Sequence, residues 1–198
     1  LLNNISSRQV ADNITFPYNE SLEDFEYRNT SVEGKFLDNT QTFFFRPNLS
    51  GQSGYNVVSA FKTIDDSVIY LDIGWIPFEQ KENIDFLDID YNKNFSLKGI
   101  LISSKERNMF SPENDYIENI WYTLSSTEMN KFYKLNGSFF ILKIIDQNYF
   151  EQTLIEFNPT QIPNNHLQYA GTWFLLFIVV GILYFYQVYQ IIRIKWNT

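Results

Sequence analysis

The chain contains a single histidine, His166, and the residues around it determine what chemistry its ring could perform. His166 follows Pro163, Asn164 and Asn165 and stands directly before a long apolar run. Proline is favoured near a helix start, and asparagine side chains cap the free N–H groups of a first turn. His166 is therefore predicted to lie in the first turn of a helix. The positive end of the helix dipole disfavours the imidazolium form there, which leaves a neutral ring nitrogen able to bind a metal.

Two aromatic side chains share the predicted helix face with this histidine. Counted at helical spacing from His166, the residues Tyr169, Ala170 and Trp173 fall on the same face. Tyrosine and tryptophan are typical of the depth at which a helix enters a membrane. His166 is thus a candidate metal ligand beside two rings. A single histidine at a membrane interface is most often an ordinary interfacial polar residue, and the residue types alone leave both interpretations open.

The element that positions these residues is a predicted transmembrane helix over residues 166–192. No Lys, Arg, Asp or Glu occurs between Glu156 and Arg193, and roughly 20 consecutive apolar residues are enough to cross the hydrocarbon core of a bilayer. Small residues allow two membrane helices to approach closely, so a run of them predicts a partner interface. In this helix that run is Ala170, Gly171 and Thr172.

The charges that flank the predicted span predict its orientation. Basic residues occur just after it, in the tail 193–198, and such residues remain on the cytoplasmic or matrix side of a membrane. Residues 1–165 are therefore predicted to form a domain in the intermembrane space or the periplasm. The chain starts at Leu1 rather than Met, so we expect a targeting segment or a first membrane anchor upstream.

Composition excludes several classes of function. The formal net charge is −8, and two of the 15 basic residues lie beyond the span, so the preceding part carries 13 basic and 23 acidic residues. A domain this acidic does not bind nucleic acid through charge. The absence of cysteine excludes disulfides, thiolate catalysis and iron–sulfur clusters, and it argues against a glycosylated, disulfide-bonded receptor in spite of sequons such as that at Asn13. No phosphate-binding loop, dinucleotide fingerprint or zinc-protease motif occurs. The acidic pair Asp65-Asp66 and the run from Asp85 to Asp90 are predicted to be solvated turns.

The fold predicted for residues 1–165 is mainly β, a small antiparallel barrel or sandwich with one short helix, followed by the C-terminal transmembrane helix. Segments rich in β-branched and aromatic residues alternate with turn residues, and Asp65-Asp66-Ser67 predicts a hairpin. Trp75 and Trp121 have the size to fill the core of a small barrel. The predicted strands are Glu26 to Phe36, Thr42 to Arg46, Tyr55 to Ile64, Val68 to Ile76, Phe95 to Ile102 and Phe139 to Ile145, and the predicted helix is Ser125 to Lys134.

Motifs along most of residues 22–186 resemble those of the Surfeit-locus (Surf/Shy) family of cytochrome c oxidase assembly factors. The entrance of the membrane helix is similar to the family's second membrane helix, with Asn164-Asn165-His166 followed by Tyr169 and Thr172-Trp173. The remaining matches are Glu26-Tyr27-Arg28 with Val32, Gly34 and Phe36; Gly54-Tyr55-Asn56-Val57-Val58 with Phe61; Leu71-Asp72-Ile73-Gly74-Trp75-Ile76-Pro77; and Gly99, Glu106, Phe110, Pro112, Asn114 and Trp121.

This resemblance implies a membrane-bound chaperone of the respiratory chain, not an enzyme. It implies assistance in the insertion of haem a into the first subunit of cytochrome c oxidase, with the oxidase subunits and the lipid bilayer as partners. His166 would then be the axial ligand of the haem iron, while Tyr169 and Trp173 would line the porphyrin. The implied location is the mitochondrial inner membrane, or alternatively the bacterial plasma membrane.

Departures from the family pattern support a second interpretation. Ile73 stands where the family usually has Arg, which removes a charge that could face a partner, and Ala60 stands where a Pro is expected. Gly171 replaces a usual Leu. The family's first membrane helix and the Trp-Gln motif after it have no counterpart in residues 1–198. The alternative is therefore a divergent copy that serves as a structural subunit of the oxidase or of a respiratory supercomplex, without haem handling.

Overall fold

A computed structural model of the chain describes residues 7, 14–15, 25–87, 89–146, 150 and 166–196. The chain forms two compact units, residues 1–159 and residues 160–198. The second unit contains the helix α2 (His166–Trp196). The elements of the first unit are β1 (Ile14–Thr15), β2 (Asn29–Phe36), β3 (Thr42–Phe45), β4 (Gly54–Thr63), β5 (Val68–Pro77), a 3-10 helix (Phe78–Leu87), β6 (Phe95–Ser103), β7 (Ile120–Trp121), α1 (Ser126–Tyr133) and β8 (Gly137–Ile144).

Five strands of the first unit close into a barrel in the order β2-β6-β8-β5-β4. The end of β2 pairs with β4 and closes the ring, with Gly34 opposite Thr63 and Phe36 opposite Phe61. Each neighbouring pair is antiparallel except β5 and β8, which run parallel. The predicted fold, a small barrel with one short helix and a C-terminal apolar helix, is therefore confirmed.

The alternating sequence of β2 explains how the barrel separates its two faces. Thr30, Val32 and Phe36 are buried, whereas Ser31 and Glu33 between them are exposed. This period of two is the geometry of a strand with one face on a core. At Gly34 a side chain would overlap the carbonyl oxygen of Lys62, so glycine permits the close strand approach that closes the barrel.

The core consists of two hydrophobic clusters. One cluster fills the barrel interior and includes Phe36, Phe61, Leu71 and Leu97. The other cluster lies on the outer face of β4, β5 and β8, where α1 and β7 cover it; its buried members are Val58, Ala60, Tyr70, Trp121, Leu124, Met129 and Ile141.

The prediction that the two domain tryptophans fill the barrel interior was wrong. Trp121 is fully buried in the outer cluster. Trp75 pairs with Asn56, and the neighbours of Asn56 in β4, Tyr55 and Val57, belong to the interior cluster. Because side chains alternate along a strand, Asn56 and Trp75 both face outward. Both tryptophans therefore cover the barrel wall from outside, whereas phenylalanine and aliphatic side chains fill its interior.

The ends of the elements follow local turn and capping chemistry. Strand β2 begins at Asn29 rather than at Glu26, because Tyr27 takes a φ of 66° and turns the chain. The predicted hairpin is present, with Lys62 opposite Val68. The predicted helix is also present: Ser125 caps α1 and its Oγ accepts a hydrogen bond from the N–H of Glu128 at 3.2 Å. Strands β1 and β7 and the 3-10 helix were not predicted.

The acidic hairpin turn lies at the surface. The Asp66 carboxylate is 2.7 Å from the Lys62 ammonium, and its side chain is 84% exposed. This hydrogen-bonded ion pair lowers the pKa of Asp66. The side chains of residues 83–88, which include most of the acidic run, lie outside the described residues, as do the backbone of residue 88 and most of the segment 146–165.

The second unit has the dimensions of a membrane span. Helix α2 has 31 residues, which corresponds to a length of about 46 Å. Within it, Leu167–Arg193 forms a 27-residue candidate span whose apolar 18-residue window has a mean hydropathy of 2.0, and none of that window is buried inside the protein. This segment is long and apolar enough to cross a membrane.

Candidate functional site at the start of helix α2

The predicted site residues all lie in the first two turns of α2. Helix α2 is described from His166 onward, and the first-turn position of this residue stays a prediction. The predicted capping residues Asn164 and Asn165 lie outside the described residues. Helical geometry places positions 166, 169, 170 and 173 along one face. The histidine position and the positions of both rings are therefore adjacent on the surface of one helix.

The two aromatic side chains at this face project away from the helix. Tyr169 is 64% exposed and Trp173 is 69% exposed. A tryptophan in a folded domain is usually well covered, as Trp75 and Trp121 are. The rings of Tyr169 and Trp173 are thus available to lipid, to a partner helix or to a flat ligand.

The small-residue patch Ala170-Gly171-Thr172 is similarly open. A Cβ atom added at Gly171 would meet nothing within 4 Å outside its own helix. The hydroxyl of Thr172 donates a hydrogen bond to the carbonyl oxygen of Gln168 at 3.0 Å, so its polar group is satisfied within the helix. Its methyl group remains free to pack, which makes the patch compatible with close helix contact.

The metal-binding side chains of the described residues do not form a centre with several protein ligands. Within the described part of the chain, no three His, Asp or Glu residues are grouped so that they could hold a metal ion. A haem needs only one axial ligand and flat apolar walls for its ring. His166, Tyr169 and Trp173 provide these residue types in adjacent positions. The residue types at these three positions are therefore compatible with the predicted haem.

Several residues that carry the sequence motifs of the barrel have structural roles. The Glu106 carboxylate accepts hydrogen bonds from Ser125 at 3.0 Å and Thr127 at 2.8 Å. The Asn114 side-chain oxygen accepts from the backbone N–H groups of Tyr122 at 2.8 Å and Thr123 at 3.2 Å. These contacts fix the segment before α1 to its first turn. Both motif residues thus maintain the fold.

Ile73, which stands where the family usually has Arg, lies in the core and not at the surface. Ile73 is fully buried and belongs to the cluster inside the barrel. It lies at an irregularity of β5, where Val57 pairs with Gly74 but Val58 pairs with Asp72. A side chain at this position is directed toward the core in this protein. The apolar residue therefore does not remove a charge from the surface.

Sequence reasoning missed a buried polar cluster on the outer face of the barrel. Asp72 and Lys143 are 3% and 7% exposed, and their charged groups are 3.8 Å apart. The Asn56 amide donates to both Asp72 oxygens, at 2.9 and 2.8 Å. One of those oxygens also accepts the N–H of Gly74 at 3.2 Å. The cluster therefore holds the irregularity of β5 in place, which is a structural role.

A signal for this cluster was present in the sequence. Asp72 and Lys143 are lone charges within otherwise apolar strands. A buried charge needs a partner, so such residues predict one another. The pairing itself depends on the parallel contact between β5 and β8, which joins segments 71 positions apart (143 less 72). Local sequence patterns do not contain that information.

Two tyrosines, the buried Tyr70 and the half-buried Tyr133, stabilise the layer between α1 and the barrel. The Tyr70 hydroxyl donates to the side-chain oxygen of Asn130 in α1 at 2.9 Å. The Tyr133 hydroxyl donates to the carbonyl oxygen of Gln41 at 3.0 Å. Burial raises the pKa of both phenols above the usual value of 10.0. Both hydroxyls therefore remain protonated hydrogen-bond donors.

Together these features define a class of protein: a small closed β-barrel domain joined to a helix that can span a membrane. A sequence model of the SURF1 family matches residues 1–178. The chain therefore belongs to the SURF1 family, which confirms the Surfeit-locus resemblance of its motifs.

Individual relatives give the same assignment. The chain is 30% identical to a SURF1-like protein of Rickettsia felis over 171 residues, which cover 83% of this chain and 75% of the relative. It is 32% identical to the SURF1-like protein of Rickettsia prowazekii over 168 residues, or 82% of this chain and 68% of the relative. The SURF1-like protein of Dictyostelium discoideum is 24% identical over 204 aligned positions, with 83% and 73% coverage.

Proposed function

We propose that this protein is a membrane-anchored assembly factor for cytochrome c oxidase that assists the insertion of haem a into the first oxidase subunit. The observation that carries the proposal is membership of the SURF1 family over residues 1–178, a family known for oxidase assembly factors. The chemistry at the start of α2 is consistent with it, because one histidine position and two exposed rings lie on one helix face. The protein would act as a chaperone and not as an enzyme.

In this proposal the haem is cargo, held briefly before transfer. His166 would supply a neutral imidazole nitrogen to the iron, and Tyr169 and Trp173 would contact the ring face. No other histidine and no cysteine occur in the chain, and Tyr169 is a weak donor while its phenol is protonated. A transient carrier needs few ligands, because a closed pocket would hinder release. The openness of this helix face is consistent with such transfer.

The decisive experiment replaces the proposed ligand in the full-length chain. His166→Ala should insert into the membrane normally, because an interfacial histidine contributes little to spanning. We expect it to lose haem a absorbance after purification and to lower the amount of assembled oxidase. Gln187→Ala, which changes a polar residue at the opposite end of α2, is the matched control and should behave as wild type.

The alternative of a permanent structural subunit predicts different results. In that case the wild-type protein supplied with haem a shows no bound spectrum, and His166→Ala assembles as much oxidase as wild type. Stoichiometry in the purified oxidase separates the two functions as well. A chaperone is present below one copy per complex, and a subunit is present at one copy.

For the membrane location, we propose that the barrel domain lies in the intermembrane space or the periplasm. The apolar length of α2 fits a membrane location, and the basic residues Arg193 and Lys195 follow the span. The positive-inside rule then places the tail in the matrix or cytoplasm. Protease added to mitoplasts or spheroplasts should digest the barrel domain and spare the tail. Survival of the domain with loss of the tail would reverse the orientation.

The patch Ala170-Gly171-Thr172 is proposed as the contact with a membrane helix of the oxidase, chiefly of its first subunit. Two observations support this contact. The space at Gly171 is open, and the Thr172 hydroxyl already has its hydrogen bond within the helix. Close packing between membrane helices depends on such small residues. A partner helix at this patch would lie beside the histidine face of α2.

A further inference from the structure

The segment between β6 and β7 presents three large apolar side chains to solvent. Met109, Phe110 and Ile117 are 89%, 87% and 94% exposed. They belong to the loop Lys105–Asn119, which we call the β6–β7 loop, and we call these three residues its apolar tips. Isolated exposed apolar residues are common on protein surfaces. Here, however, three large apolar side chains within nine positions of one loop are almost fully exposed, and this grouping requires an explanation.

The apolar tips are held outward by the backbone of the loop. The Asn108 side-chain oxygen accepts the N–H of Phe110 at 2.9 Å. In the same way, the Asp115 carboxylate accepts the N–H groups of Ile117 and Glu118, each at 3.0 Å. In both places a short polar side chain closes a turn that carries the apolar tips. The backbone therefore has its hydrogen bonds satisfied locally, and the apolar side chains have no partner within their own turn.

The base of the loop is fixed to the barrel domain through the first turn of α1. Glu128 in that turn accepts a hydrogen bond from the Asn114 amide at 2.7 Å and lies 3.8 Å from Arg107. Tyr116 stacks on Phe132 of α1 with ring centroids 5.4 Å apart. The loop is thus anchored on both sides of Met109 and Phe110. A surface that is ordered before binding loses little conformational entropy on association.

The charges around the tips distinguish between a lipid surface and a protein partner. The β6–β7 loop contains two basic residues and four acidic residues. Glu113 and Glu118 are 89% and 64% exposed in their side chains, and each forms an ion pair within the chain, with Arg107 at 3.5 Å and with Lys81 at 3.7 Å. Such solvent-exposed pairs are weak, so both carboxylates can also pair with basic residues of a partner. Loops and helices that enter a lipid surface carry Lys and Arg around their apolar residues, since those charges attract anionic headgroups. The acidic border of the tips therefore disfavours a lipid surface.

We propose that the apolar tips of the β6–β7 loop form a docking site for a protein partner. The partner surface would offer an apolar cleft for Phe110 and its neighbours, bordered by Lys or Arg residues that face Glu113 and Glu118. Aromatic residues and Met are typical anchors in the centre of protein interfaces. Complementary charges at the border guide the encounter and select the partner. This site goes beyond oxidase assembly and haem transfer, and it stands whether or not those proposals are correct.

Photo-crosslinking in native membranes tests the site. Benzoylphenylalanine is placed at position 110 of the full-length protein, where it closely matches the phenylalanine that it replaces. The matched control carries it at position 64, because Ile64 is a 66% exposed apolar residue in the β4–β5 turn of the same domain. We expect position 110 to cross-link to a protein segment that contains Lys or Arg beside apolar residues. Position 64 should give no such product.

Substitutions around the probe test the chemistry of the contact. Glu113→Lys combined with Glu118→Lys should reduce the yield from position 110 by roughly tenfold, and added salt should reduce the wild-type yield. In the protein without the probe, Phe110→Ser should weaken association with the identified partner roughly tenfold, whereas Ile64→Ser should not. Cross-linking to lipid, to a segment without basic residues, or at no higher yield than from position 64 would overturn the proposal. Insensitivity to the charge reversal would also overturn it.

Discussion

Tryptophan side chains are buried in the barrel domain and exposed in helix α2. Trp75 and Trp121 in the barrel domain are 2% and 0% exposed, whereas Trp173 in α2 is 69% exposed. In the barrel domain the protein supplies its own apolar surroundings, through two clusters on the two sides of one wall. In α2 a membrane or a partner must supply them. The comparison shows that a residue type acquires its role from the medium that surrounds it.

The β6–β7 loop is an exception within the barrel domain. Its apolar tips are even more exposed than the large apolar residues of α2, but they lie among acidic side chains. A membrane span avoids charged residues along its length. The two exposed apolar regions of the chain therefore differ in the partners that suit them: lipid and apolar helices for α2, and a protein surface with basic residues for the loop.

The largest expected effect comes from opening a cavity under α1. Trp121→Ala should lower the free energy of unfolding of the barrel domain by about 3–5 kcal/mol, because it removes a fully buried ring. Trp173→Ala is the matched control in α2 and should change it by less than about 0.5 kcal/mol. Urea denaturation of the full-length protein in detergent, followed by circular dichroism, measures both. Similar effects of the two changes would contradict the contrast between the regions.

A slightly smaller effect should follow from breaking the buried charge pair. Asp72→Leu leaves Lys143 without its carboxylate and should destabilise the barrel domain by about 3 kcal/mol. Adding Lys143→Met should restore part of that loss, since no uncompensated charge then remains, but the Asn56 amide and the Gly74 N–H still lack their acceptor. The exposed pair of the hairpin turn provides the control, because Asp66→Asn should leave the unfolding midpoint unchanged. A double variant no more stable than Asp72→Leu would show that the pair has a different role.

The smallest effect on folding is expected in α2, where the function should change instead. Gly171→Leu adds a side chain into open space, so the unfolding midpoint of the barrel domain should be unchanged. If another membrane helix packs against this patch, the added side chain should weaken co-purification with the oxidase. Leu176→Ile, a volume-conserving change further along α2, is the control. Undiminished co-purification of Gly171→Leu would show that the patch faces lipid.

Much of the fold could be predicted from local patterns. The alternation in β2, the turn residues between β4 and β5, and the Ser125 cap of α1 each predicted an element within a few residues of its observed bounds. Short elements were missed. Strands β1 and β7 have two residues each, and their pairing depends on neighbours far away in the chain. Periodicity needs several residues before it becomes detectable.

The same distinction between local and long-range features applies to the candidate site and its surroundings. The helical conformation from His166 onward was predictable, because proline and asparagine favour the start of a helix and a long apolar run follows. The opposite placement of Ile73 and Trp75 was not, because it follows from the irregularity in β5 and from its pairing with β4. For the same reason the Asp72–Lys143 pair and the exposed tips of the β6–β7 loop became visible only in three dimensions.

The sequence by itself determined the apolar helix that is long enough to span a membrane, the residue types near its start, the strand-rich domain and the family. These features depend on apolar length, local helix chemistry and short-range alternation, which are properties of neighbouring residues. The tertiary structure decided the closure of the barrel through Gly34, the outward placement of Trp75 and Trp121, and the exposure of Phe110. Those features depend on which distant segments meet. The physical reason is that burial and strand pairing are long-range properties, and local sequence patterns do not specify them.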